Sequence, residues 1–153
     1  MNKIKGIIMD KKEAVYRTAL QLVEHFTDCL QMEKRGVHSR IFPHLLNPEQ
    51  YFVSVGQSQE VIDGAKSHVE HIVPCVVIIK ESFKLIEDNF PKDEIARLIV
   101  KHWKIAFISK DQAKHLDTKA GADLKNTMPD NWDYKTGSTF ARLDKAGIKL
   151  QPL

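Results

Sequence analysis

Apolar residues recur at helical spacing over residues 11–34, where Val15, Ala19, Leu22, Phe26, Cys29 and Leu30 share one face and Gly36 follows as a stop. This is the longest predicted helix. Its stripe reads first as a core face and second as a surface for a partner helix. Residues 37–50, with Pro43, Asn47 and Pro48, read as irregular connection. Tyr51–Val55 reads as a short strand closed by Gly56, Gln57–Ala65 as a helical turn, and His68–Val73 as a strand ending before Pro74. Beyond Pro74 the period lengthens: Ile79, Phe83, Ile86 and Phe90 predict an amphipathic helix over 76–90. Pro91 opens another over 93–102, with Ile95, Leu98 and Ile99 inward. Lys104–Ile108 returns to a strand pattern. Ser109 is then a predicted N-cap, with Asp111 in the dipole-favoured first turn and Gln112 at the capping-box position of a helix ending before Gly121. The remainder is turn-rich around a short helix at 139–145. No repeat or linker interrupts the pattern. The expectation is one α+β domain over 1–153, mostly helical, with a small β-hairpin and following helix, and a helical insertion between the two strands.

The 153 residues suffice for a core without disulfide support. Cys29 and Cys75 both lie in apolar runs, which predicts buried free thiols and suits a reducing cytosol. The N-terminal apolar run is too short for a signal peptide, and no apolar run approaches membrane-spanning length, so the expected location is cytoplasmic with no membrane partner. The net charge of +3 is uneven. Residues 1–100 carry 13 Lys/Arg against 14 Asp/Glu, whereas residues 101–153 carry 10 against 6. The basic excess of the C-terminal third suits a polyanion, and equally a solvated lysine-rich face.

The candidate chemistry begins at Ser67-His68-Val69-Glu70-His71-Ile72-Val73-Pro74. A carboxylate and an imidazole meet here at the end of an apolar strand, one an oxygen donor for a divalent cation and the other a base for water. Asp111 and His115, four apart on a predicted helix, share a face and present a second pair of ligands. If the two strands pair antiparallel, the helix folds back over the strand end. Glu70, Asp111 and His115 then form a mixed oxygen/nitrogen metal site with His71 beside it as general base. Phosphate loops, GxGxxG and GxSxG are absent, and neither cysteine has a nearby histidine arrangement that sequence defends.

Glu70-His71-Ile72-Val73-Pro74, followed by His102 to His115, resembles the HNH or His-Me finger nucleases over residues 67–117. The resemblance implies a ββα-metal core and metal-dependent endonucleolytic cleavage of nucleic-acid phosphodiesters, with DNA favoured over RNA as partner. It assigns His71 as base, places His102 where the family has an orienting Asn, and makes Glu70, Asp111 and His115 the ligands. The donor set fits Mg²⁺ first, with Zn²⁺, Mn²⁺ or Ni²⁺ admitted by the two histidines. Arg35, Arg40, Lys104, Lys110 and Lys114 are the expected substrate-binding cations. Two helical segments separate the signatures, and the Cys pairs of many members are missing. The missing Asn and the absent Cys pairs motivate the alternative, a non-catalytic binding or inhibitory protein of phage or mobile-element type on a degenerate scaffold.

Each residue also has a purely structural reading. His71 fits a hydrogen-bonded core position, and Glu70 a solvent-facing strand position. His68 is a surface residue or a spare ligand. His102 continues the apolar stripe of its helix, Asp111 fits an N-terminal helix charge, and His115 an exposed helical site. Arg35 and Arg40 fit ordinary surface cations. Trp132, Tyr134, Phe140 and Arg142 form either a nucleotide clamp or, preferably, a C-terminal apolar cluster.

Overall fold

Asp10 starts the first helix: its carboxylate accepts from the Glu13 amide at 2.7 Å, and α1 runs Lys11–Gln31. The predicted face is buried, with Ala19, Leu22 and Phe26 fully inaccessible. Each such large side chain contributes roughly 1.5–3 kcal/mol by burial. The helix stops at Gln31 rather than near Gly36, because the chain turns left-handed at Glu33 (φ 58°) and the Lys34 amide reaches back to the Cys29 carbonyl. The computed structural model describes residues 9–34 and 36–153. The N-terminal run and Arg35, with the expectations placed on them, lie outside the described residues.

Two short helices, α2 (Ile41–Leu45) and α3 (Glu49–Val53), lead into β1 (Ser54–Ser58). The strand expected at Tyr51–Val55 is therefore mostly a helical turn. Pro48 caps it, and the Ser54 hydroxyl closes it by donating to the Gln50 carbonyl at 2.6 Å. Tyr51, Phe52 and Val53 carry strand propensity, but a single turn after Pro48 satisfies the backbone first. Next come α4 (Gln59–Ile62), β2 (Ser67–His71), α5 (Cys75–Glu87), α6 (Lys92–His102), β3 (Ile105–Ser109), α7 (Lys110–Asp117), α8 (Ala141–Lys145) and β4 (Leu150–Gln151). The capping box at Ser109 is present, with Ser109 and Gln112 exchanging side-chain and backbone bonds.

The protein is α+β, and its strands form one mixed sheet in the order β2-β3-β1-β4. β3 lies inside, antiparallel to β2 and parallel to β1, while β4 runs antiparallel to β1. Ser67 pairs with Ser109, and His71 with Ile105. The antiparallel pair read from sequence exists, but it belongs to four strands rather than an isolated hairpin. Helices α1, α5 and α6 enclose the larger core with Phe42 and Trp103. A second core of Ile72, Ala106, Ile108, Leu116 and Leu143 packs α7 and α8 on the sheet. Among the described residues no helix is long and apolar enough to cross a membrane.

Candidate functional site

His71 is the last residue of β2, and the next amide, Ile72, bonds to the Lys104 carbonyl at 2.9 Å. That bond fixes the strand end beside the start of β3. Past it the chain turns through Val73 and Pro74 into α5, whose first residue is Cys75. The turn brings Cys75 against the His71 ring. On the other side Glu49, the first residue of α3, accepts a hydrogen bond from His71 Nε2. Glu49 is buried at 6% exposure and also accepts from Trp103 Nε1 at 3.2 Å. Trp103 is itself inaccessible and stands edge-on to Phe42 with ring centroids 5.0 Å apart. The carboxylate is thereby locked.

Burial on its own would lower the proton affinity of His71. The hydrogen bonds with Cys75 and Glu49 and the charges of both groups outweigh it, and raise the pKa from 6.5 to about 10. The ring is consequently an imidazolium at neutral pH, flanked by the Glu49 carboxylate and the Cys75 sulfur. His71 and Cys75 open onto a cavity of about 350 Å³ that Arg40, His68, Glu70, Asp117, Lys125 and Arg142 also line.

Arg142, from α8, forms the back wall. Its side chain is only 2% exposed, and its donors are committed. Nη1 donates to Glu70 Oε1 at 2.8 Å and to the His71 carbonyl at 3.1 Å, and Nε donates to the Leu124 carbonyl at 2.7 Å. Nη2 lies 3.5 Å from Asp117 Oδ1. The second Glu70 oxygen meets His68 Nε2 at 3.0 Å.

These commitments decide the metal question. Glu70 is buried in an ion pair rather than free to ligate, and Asp111 and His115 are exposed on α7. Among the described residues no three His, Cys, Asp or Glu side chains stand together as a metal site. The ligand trio expected from sequence is not assembled, and the register explains why. Asp111 opens α7 beside the Ser67 end of β2, whereas Glu70 lies three residues along that strand, roughly 10 Å away. The α7 carboxylate that reaches the Glu70 end is Asp117, and Arg142 stands between them. Close packing fixes His115 from behind: a Cβ on Gly121 would lie 2.1 Å from the His115 carbonyl oxygen. The residues present do not fit the divalent ion that the family resemblance implies.

His102 is likewise placed away from the cavity. It is fully buried, its Nε2–H donates to the Tyr134 carbonyl at 2.7 Å, and Nδ1 faces the Thr139 hydroxyl at 3.0 Å. Burial lowers its pKa to about 4 despite the Tyr134 bond, with Lys101 and Lys104 adding to the effect. It is a neutral core histidine packed against Trp132 and Tyr134; of the C-terminal cluster expected from Trp132, Tyr134, Phe140 and Arg142, the first two meet here, while Phe140 is exposed and Arg142 pairs with Glu70. Lys110 and Lys114 are exposed on α7, while Lys104 is half-buried beyond the opposite end of β3. That separation, roughly 20 Å along the strand, prevents one basic patch. Of the expected cations among the described residues, Arg40 alone reaches the cavity rim.

Glu49, Cys75 and Arg142 are the members that motif reading missed. Cys75 follows His71 by four positions, but Pro74 hides the pairing because no regular helix or strand spans both. Glu49 carries no local signal. Comparison with known proteins finds no matching family model, no similar curated protein and no matching solved structure.

Proposed function

We propose that the protein is a thiol-dependent hydrolase in which Cys75 is the nucleophile, His71 carries the proton and Glu49 orients and charges His71. One observation carries the reading: a single imidazole is flanked by a buried carboxylate and a cysteine at a common cavity. Nucleophile, proton carrier and orienting carboxylate in series define covalent acyl transfer on many unrelated scaffolds. The alternative use of His71, as a base for water, is disfavoured by its charge. An imidazolium is a proton donor, not an acceptor. Beside a thiol, and with the thiol on the first residue of the 13-residue α5, it makes instead an electropositive setting for a nucleophilic sulfur.

In the first step Sγ, its proton already held on the His71 ring, attacks the acyl carbon and forms the S–C bond, while the C–O bond to the leaving group breaks and His71 protonates the departing oxygen. In the second, water gives a proton to His71 as its oxygen bonds the acyl carbon. The S–C bond breaks, releasing the acid and restoring the resting pair, with the proton on His71 and the sulfur free of it. The developing oxyanion would meet the Cys75 and Val76 amides of α5, since the Val77 and Ile78 amides already bond the Pro74 carbonyl.

The test is p-nitrophenyl acetate with the full chain. The expected result is a burst of nitrophenolate and an acetyl group on the Cys75 peptide by mass spectrometry, lost in Cys75→Ala and slowed at least about 100-fold in His71→Gln. Unacetylated Cys75 would overturn the reading.

A second reading rests on a different observation, the antiparallel β2–β3 pair with α7 packed against both strands. This resembles a ββα nuclease core and supports a phosphodiesterase acting on nucleic acid. Plasmid nicking by wild type, with and without added Mg²⁺ or Mn²⁺, and its loss in His71→Ala would favour it. Neither acetylated Cys75 nor nicked plasmid would favour the non-catalytic binding protein instead.

A further inference from the structure

We infer that the cavity selects substrates carrying an anionic group, a carboxylate or a phosphate, beside the bond that is broken, with Arg40 and Lys125 as the recognising cations. This rests on the reading of Cys75 as nucleophile and adds the substrate class. The cavity charges separate into two sets. Glu70 and Asp117 face Arg142, His68 faces Glu70, and Glu49 faces His71, so these groups largely satisfy one another. Arg40 and Lys125 are different: both line the opening, both are exposed, and neither has an ion pair among the described residues. Two unpaired cations at the mouth of a cavity walled by protein attract an anion more strongly than the same charges on an open surface.

Their convergence is a product of the fold. Arg40 precedes α2, and Lys125 sits in the turn after α7, 85 residues later in the chain. That turn is defined by left-handed backbone at Asp123 (φ 53°) and Asn126 (φ 54°), and by the bond from Arg142 to the Leu124 carbonyl. The same arginine that backs the cavity therefore positions Lys125 over it. A surface lysine without such anchoring would sweep a wide volume and discriminate little.

Alkylation of Cys75 reads this selectivity without a known substrate. The rates of S-alkylation by iodoacetate and by neutral iodoacetamide, each displacing iodide, are followed on the Cys75 peptide by mass spectrometry, with a cysteine peptide in solution as reference. In the wild type the iodoacetate-to-iodoacetamide ratio should exceed that of the reference about fivefold at low ionic strength, and fall towards it in 0.5 M salt. In Arg40→Ala/Lys125→Ala, an exchange of two exposed side chains, the ratio should return to the reference value while alkylation by iodoacetamide persists. Inorganic phosphate or acetate added as competitor separates the two sources. Slowing of iodoacetamide by phosphate alone assigns a phosphate, and by acetate alone a carboxylate. A wild-type ratio equal to the reference, or one unchanged in the double variant, overturns the inference while leaving Cys75 a nucleophile. Failure of both reagents to modify Cys75 faster than the reference instead overturns the thiol reading itself.

Discussion

His71 donates from Nε2 to Glu49, a carboxylate 22 residues earlier in the chain that also accepts from the Trp103 indole. The pair spans two elements, the end of β2 and the start of α3, and together with Cys75 it holds the ring protonated. Replacing Glu49 with Gln keeps the shape but removes the countercharge. The expected outcome is a His71 pKa well below about 10, measured by NMR titration of the ring protons, and loss of the nitrophenolate burst. A pKa unchanged in Glu49→Gln would show that Cys75 alone holds the proton.

The same proton couples folding to alkaline pH. His71 has a raised folded pKa, so its stabilisation is complete below the unfolded value of 6.5 and is lost as pH rises through about 10. Urea midpoints should fall between pH 7 and 10 in the wild type, and fall less in His71→Gln. Parallel declines in the two proteins would refute the linkage.

His102 works in the opposite window. Its folded pKa is depressed to about 4, so the unfolded chain binds a proton more readily below pH 6.5 and stability drains away as pH falls towards 4. The shift corresponds to roughly 3 kcal/mol at the acid end. Thermal melts at pH 7 and pH 4.5 should show a larger drop for the wild type than for His102→Gln.

Arg142 and Glu70 are buried together, unlike the exposed Arg17–Glu13 pair on α1, which contributes about 0–1 kcal/mol. Removing the guanidinium in Arg142→Met leaves Glu70 without its arginine partner, at an expected cost of about 3–5 kcal/mol. Adding Glu70→Leu to Arg142→Met should recover much of that loss. Chemical denaturation of the singles and the double measures the coupling.

Asp111→Ala and His115→Ala test the geometry from the other side. Both side chains are exposed on α7, so each change should alter stability by no more than about 0.5 kcal/mol and leave the Cys75 burst intact. A large loss of activity in either would return α7 to the reaction.

The helices α1, α5 and α6 were legible because burial writes a 3.6-residue period into sequence, and the Ser109 box because capping needs particular side chains at fixed spacing. Their ends were less legible, since Glu33 supplies the left-handed turn that Gly36 was expected to supply. The Tyr51 run misled because its strand propensity competes with a turn started by Pro48. At the site, Glu70 and His71 stood out as neighbours. Their true partners did not, because Glu49, Cys75 and Arg142 meet them only through tertiary contacts. Helical periodicity placed Asp111 and His115 on a common face, yet it carries no information about which end of the strand that face approaches.

Arg142 lies near the end of the chain, yet it ties together β2, α7 and the turn that carries Lys125. During synthesis, His71 and Cys75 leave the ribosome about seventy residues before the cation that neutralises Glu70, and Glu49 about ninety. A nascent chain can therefore possess its reactive groups without the wall that organises them. A chain interrupted before α8 carries the Cys75 thiol without the guanidinium that backs its cavity.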